Sequence, residues 1–237
     1  MDSGIKLTVL TVDVYFCVIF TFDKPRLLVD LQRLSPYLRV VCAAACAERQ
    51  MPTYRLLRRG SVSESSDELI RALDDVWTNP IWGDAPELRR QLEACMQLVP
   101  REEWVTPWTE QASYAQEAGI SMAYALRTGI SGEAEDAAWA AQTAYELLDH
   151  FVMNRADIDT SLRGSEEAVL AHPLIQAELS RQYRDLDELL ATDEPDLQQV
   201  VTRFRERAKA KIDLMARTDR HYFPCWSRLT LRESTRF

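Results

Sequence analysis

From Arg26 to Arg217 the apolar side chains recur about every three and a half residues, the spacing of an α-helix rather than a strand. A helix patterned in this way must bury its apolar stripe against another helix, so the period predicts an all-α fold. The punctuation agrees with the period. A helix is expected over 27–49 with a break at Ser35-Pro36. Val40, Val41, Ala44 and Ala47 share one of its faces, and Pro52 is expected to end it. Ser65 and Glu68 form a capping box ahead of the stripe Leu69, Ile70, Leu73, Val76 and Trp77. Asp84 and Glu87 open the next helix, which carries Leu88, Leu92, Cys95 and Val99 up to Pro100.

Thr106-Pro107 reads as an N-cap followed by a proline at the first helical position, starting a helix over 107–128 that Gly129 ends. Its small residues (Ala112, Ala115, Ala118, Gly119, Ala123) let neighbouring backbones approach, which predicts a central position. A helix over 132–154 follows, with Ala137, Ala141, Ala144, Leu148 and Phe151 inward. Residues 155–172 hold a loop at Gly164 and room for a short helix. His172-Pro173 opens another helix with the stripe Ile175, Leu179, Gln182, Leu186 and Leu189, and a last helix is expected over 195–217. The sum is a single compact bundle of about seven to eight helices.

The chain has 237 residues, 46% of them hydrophobic and 27% charged, which suits one domain with a substantial core. A net charge of −9 disfavours general binding to phosphate backbones and would suit a basic partner, although solubility alone also explains it. The five cysteines (Cys17, Cys42, Cys46, Cys95, Cys225) are odd in number and form no Cys-x-x-Cys pair, so reduced thiols in a cytoplasmic protein are expected. Residues 5–22 are β-branched and aromatic, unlike the rest. Asp13 near the middle opposes a membrane span, and no signal-peptide pattern is present. Residues 1–24 therefore read as an extension outside the main domain, either an appendage to the fold or residues added by an upstream start codon. The domain itself is placed at 25–218, and an aromatic, basic tail at 219–237.

Candidate chemistry is sparse. Glu48, Arg49 and Asp74 are charges on apolar helices. They are read first as an inter-helix ion pair that fixes packing, such as Arg49 with Asp74, and second as a polar cluster that recognises a ligand or partner. Glu146 and His150 stand one helical turn apart, but no Glu-x-x-His or His-Glu-x-x-His occurs and the ligand set for a metal is incomplete. Cys42 and Cys46, also one turn apart on an alanine-rich face, read as core. Neither glycine-rich phosphate loop occurs. No catalytic residue, cofactor or metal is assigned. Trp82, Trp104 and Trp108 would mark a protein-binding surface if they clustered in the open.

Several segments in order resemble the YjaG-like family, bacterial proteins known as a domain of unknown function. Ala43 to Arg49 followed by Pro52-Thr53-Tyr54 is similar to the family's Cys-Glu-Arg helix and Pro-Asn-Tyr turn, with Ala47 between Cys46 and Glu48 and with Thr53 in place of Asn. Leu73-Asp74-Asp75-Val76-Trp77 resembles its Leu-Asp-x-x-Trp helix, and Leu98 to Glu103 its Ile-Pro-x-x-Glu/Asp junction. His172 to Glu178, then Gln182, is similar to its Asn-Pro-x-x-x-x-Glu segment. The likeness spans residues 27–215 and implies an all-α fold, with no activity or site residues to carry over. The expected function is that of a non-enzymatic module that binds another protein, either a regulatory or signalling partner or a toxin, with neither nucleic acid nor membrane involved. The alternative is a small-ligand binder or metal-dependent enzyme with a pocket between helices, which would require Glu48, Arg49, Asp74, Glu146 and His150 to converge.

Overall fold

The structure, a computed structural model, describes residues 19–58, 65–78, 86–104, 109–155, 158–159, 161–192 and 197–210. Among them stand nine α-helices: α1 (Lys24–Arg33), α2 (Pro36–Arg58), α3 (Ser65–Thr78), α4 (Pro86–Leu98), α5 (Glu110–Ser131), α6 (Ala134–Arg155), α7 (Ser165–Leu170), α8 (Pro173–Leu190) and α9 (Leu197–Ala210), plus one 3₁₀ turn at Glu102–Trp104. The described residues contain no strand, so the all-α reading holds. Asp84, Thr106-Pro107, Trp82, Trp108, the side chain of Trp104 and the tail at 219–237 lie outside the described residues.

The helix α2 is the centre. Residues 40–51 are buried without interruption, so this helix has no solvent face along three turns. The small side chains of Cys42 to Ala47 make this possible, because α5 and α6 can lie close on one side while α3, α8 and α9 cover the rest. The expected face of Val40, Val41, Ala44 and Ala47 and the expected core pair Cys42 and Cys46 are thus only part of what is buried. Ser35-Pro36 separates α1 from α2 as expected, but Pro52 does not end α2, which runs on to Arg58. Met51 and Tyr54 on either side of it are fully buried. Their packing outweighs the lost amide and ring clash, about 3 kcal/mol, of an interior proline.

Arg39 staples the helix ends at one pole of the bundle. Its guanidinium donates to the carbonyls of Leu31 and Gln32 at the end of α1 and of Gly132 just after α5, each at 2.9 Å, satisfying groups that helix termini leave unpaired. Two boundaries of α5 differ from expectation. Its cap is Thr109, whose hydroxyl accepts from the Ala112 amide at 3.2 Å. Its stop is Gly132, at φ 67°, with the amide bonded to the Thr128 carbonyl at 2.7 Å. Gly129 lies inside the helix, where its role is packing.

Helices α5 and α6 touch closely enough for the Ser121 hydroxyl to donate to the Ala140 carbonyl at 3.2 Å. Helix α8 starts as expected at Pro173, with His172 Nδ1 accepting from the Leu174 amide; burial pushes the His172 imidazole pKa down, which favours the neutral acceptor form. Ahead of α1, residues 19–23 form an extended strap across α6 and α8. Its Phe20 stacks on Tyr183 and its Phe22 on Tyr145. Next along, the Lys24 ammonium sits over the Trp139 ring and pairs with Glu135 at 3.1 Å. The described end of the 1–24 segment is thus packed onto the bundle, and its remainder lies outside the described residues. No described helix is long and apolar enough to cross a membrane.

Gly119 reports how tightly α5 is held. A Cβ at this position would lie 2.8 Å from Val99 Cγ2 and 3.6 Å from Val99 Cβ, a stiff β-branched side chain after α4. Alanine ordinarily gains about 1 kcal/mol over glycine inside a helix, but overpacking here costs about 1–3 kcal/mol. Gly119→Ala is therefore expected to lower stability by about 1 kcal/mol, and adding Val99→Ala should return the helix-propensity gain. Urea unfolding of the two single variants and the double variant reads this. A Gly119→Ala protein more stable than the parent would show that the α4–α5 contact is looser than described.

Candidate functional site

Because α2 has no solvent face, Glu48 and Arg49 cannot reach water and must be paired inside the protein. They project toward different neighbours. The Glu48 carboxylate accepts from Trp77 Nε1 of α3 at 3.0 Å. Arg49 turns to α8, where Nε and Nη2 grip the Glu178 carboxylate at 2.8–3.1 Å and Nη1 donates to Asp185 at 3.0 Å. A further Nη2 contact reaches Cys46 Sγ at 3.3 Å. Asp74 joins neither: it is half exposed and pairs with Arg205 of α9. The expected Arg49–Asp74 pair does not form, and the three candidate residues take part in three separate contacts.

The pairing partners on α8 carry the rest of a connected network. Glu178 also accepts from Arg181 at 3.3 Å and from Gln182 at 3.1 Å, while Gln182 donates to the Ala141 carbonyl of α6 at 3.0 Å. Asp185 takes a second guanidinium, Arg207 of α9, at 2.7 Å. Arg207 in turn reaches Glu188 at 2.6 Å, and Arg203 meets the other oxygen of Glu188. Three helices (α2, α8 and α9) are thereby tied through charge-assisted bonds and α6 through the neutral Gln182 bond, with Glu178 only 1% exposed at the centre. The sequence does hold a signal for this. Ile175, Glu178, Gln182, Asp185 and Leu189 follow one another at helical spacing, so three polar residues occupy positions that the period assigns to the core.

Burial alone would raise the Glu178 pKa, but the field and hydrogen bonds of Arg49, with Arg181 and Gln182, outweigh it and hold this carboxyl below its ordinary range. Burial likewise opposes the charge on Arg49, and Glu178, Cys46 and Asp185 together override it and leave the guanidinium firmly protonated. The Cys46 thiol is raised by its hydrogen bond with Cys42 and by burial, and burial raises Cys95 to about 12. Neither thiol is a nucleophile near neutral pH.

The other candidates do not join this network. Glu146 accepts from Gln142 at 2.7 Å, whereas His150 pairs with Glu117 of α5. Among the described residues no group of three or more His, Cys, Asp or Glu is placed to hold a metal ion. A groove of about 200 Å³ lies between α3 and α4, bordered by Glu68, Asp75 and Glu87 and by Arg71 and Arg90. Its charges nearly cancel.

Removing one partner of a buried ion pair strands the other. Arg49→Met is therefore expected to cost about 3–5 kcal/mol, while Arg49→Met with Glu178→Met should recover more than half of the combined single losses, since Asp185 keeps Arg207. Urea unfolding of the cycle tests this; strictly additive losses would show that the two charges are not coupled. The depressed Glu178 carboxyl also sets a pH dependence. Its contribution is complete above the ordinary value of 4.5 and is lost as pH falls through the lower folded value. Glu178→Gln should flatten the stability profile in that acid window, as read by thermal unfolding at successive pH values.

Comparison with known proteins adds the family. No curated protein matches the chain. A crystal structure of a DUF416 family protein from Shewanella baltica is similar, with a TM-score of 0.64 at 16% identity over 76% of this chain and 92% of that one. At that identity the likeness speaks to fold, and it agrees with the helical bundle described above. The sequence profile described as "Protein of unknown function (DUF416)" matches residues 27–211, from α1 through α9 and thus across every helix of the network, so the chain belongs to the DUF416 family.

Proposed function

We propose that this protein is a non-enzymatic helical module that acts by binding another protein. The reading is supported above all by where the candidate chemical groups go. Arg49 is consumed by Glu178 and Asp185, Glu48 by Trp77, Asp74 by Arg205 and His150 by Glu117, on different faces of the bundle. An active centre needs reactive groups converging on one space that a substrate can enter. Here the interior charges neutralise one another and fix helix positions, which leaves the outer faces to carry recognition. The net charge of −9 favours a protein over a nucleic acid as the partner.

The alternative, a ligand pocket between helices, has the α3/α4 groove as its place. At about 200 Å³ it falls below the range of about 300–1,000 Å³ in which small-molecule sites lie. Cross-linking in living cells of the native host, followed by purification of the full chain, tests the proposal. One protein recovered in near-equal amount across growth conditions is the expected result. Recovery of the chain alone in every condition, together with a small molecule that raises its melting temperature and loses that effect in Arg90→Ala, would replace it with the groove reading.

A further inference from the structure

The strap at residues 19–23 alternates in exposure. Ile19, Thr21 and Asp23 face solvent, and Phe20 and Phe22 turn inward, the two-residue period of extended backbone. The body of the protein holds this segment in two ways. Through the main chain, Gln176 of α8 accepts from the Phe20 amide at 2.8 Å and donates to the Phe20 carbonyl at 2.9 Å. One side-chain amide thus supplies what a neighbouring strand would supply. The Tyr183 hydroxyl adds a donation to the Thr21 carbonyl at 2.7 Å. Through side chains, the Phe22 ring lies 5.2 Å from Tyr145 at 4° between planes, and the Phe20 ring 5.4 Å from Tyr183 at 29°. Main-chain bonds for grip and alternate side chains for selectivity are the means by which protein domains take up extended peptides.

Three observations separate this occupant from the face beneath it. The strap is incompletely covered, with Ile19 46% exposed. A partly open cleft of about 20 Å³, room for about one water, lies beside it between Phe22, Leu27, Leu179, Gln182 and Leu186. The family match begins at residue 27, which puts Tyr145, Gln176 and Tyr183 inside the shared domain and the strap outside it.

We infer that the α6/α8 face is a docking site for an extended aromatic–x–aromatic segment of a partner protein, and that residues 20–22 are its intramolecular occupant, displaced when the partner binds. This rests on the protein-binding reading and names the face and the chemistry of the partner. A tethered occupant competes at an effective concentration on the order of millimolar. An incoming segment meets only the open fraction of the face, and its apparent affinity falls in proportion.

The probe is a fluorescein-labelled peptide copying residues 18–24, titrated by anisotropy into the full chain. Phe20→Ala with Phe22→Ala removes both stacks from the strap and leaves the face intact. This double variant should bind the peptide at least about tenfold more tightly than the parent chain, from the loss of two aromatic pairs. Adding Gln176→Ala, with the helical spectrum checked because Gln176 also donates to the Leu170 carbonyl at 2.8 Å, should weaken that binding by at least about tenfold, given the two bonds to the Phe20 main chain that it removes. A double variant with a native helical spectrum that binds no more tightly than the parent, or binding indifferent to Gln176, overturns the proposal. If the double variant does not fold, hydrogen exchange on the parent chain decides. Faster exchange of the Phe20 amide under saturating peptide supports displacement, and unchanged exchange overturns it. A parent chain that sediments as a dimer and turns monomeric when the strap is loosened would make a second copy the occupant, overturning the partner-segment assignment. Capture of a host protein by a chain whose peptide titrations are flat would remove this face and leave protein binding standing.

Discussion

An arginine on a stretch of helix with no solvent face sets the terms for the rest of this fold. Arg49 sits in α2, where residues 40–51 are all buried, and a guanidinium cannot lose its charge at any physiological pH. Leaving it unpaired would cost several kcal/mol, so the fold must bring carboxylates to it. Glu178 and Asp185 arrive from α8, two turns apart, and their remaining capacity is taken up by Arg181, Gln182 and Arg207. Such a network adds little net stability over a well-packed apolar core. It discriminates between arrangements, because a slip of α8 by one turn along α2 would carry Glu178 and Asp185 away from Arg49 and leave its guanidinium buried without them.

That discrimination matters because the packing around α2 is otherwise permissive. Alanine and cysteine side chains from 42 to 47, and the small residues of α5 and α6, present smooth surfaces that could settle at several registers. Directional bonds supply what interdigitation lacks. Arg39 does the same at the pole of the bundle by joining the ends of α1 and α5, and Glu48 does so toward α3 through Trp77. The functional reading follows from the same economy of polar groups. Charges that hold helices in place are not free for chemistry, and this is the ground on which a binding role is proposed.

Much of this is legible in the sequence because helix period and punctuation are local. Pro36, Ser65 and Pro173 open helices where expected, and the burial of Leu69, Leu73, Val76, Ile175 and Leu179 follows their spacing. The misjudged boundaries are those where tertiary packing overrides a local signal. Pro52 is carried inside α2 by burial of Met51 and Tyr54, and Gly129 stays helical because the stop conformation falls at Gly132 instead. The site was legible only in part. Glu48 and Arg49 stand out as charges on an apolar helix, whereas Glu178 and Asp185 carry no such mark on α8 although they occupy core positions. Nothing in the linear order shows that Arg49 meets them rather than Asp74.

The sequence by itself determined that this chain is helical, where most of its helices begin and which residues its interior takes, since capping, proline geometry and apolar period act within a few residues. Only the tertiary structure decided which charges pair, that α2 is enclosed on all sides over residues 40–51, and that residues 19–23 lie along α6 and α8. Those outcomes depend on side chains more than a hundred positions apart, as with Arg49 and Glu178 or Phe20 and Gln176. Their meeting is set by how the helices stack around the smallest residues of the core, a property of the assembled fold and not of any segment within it.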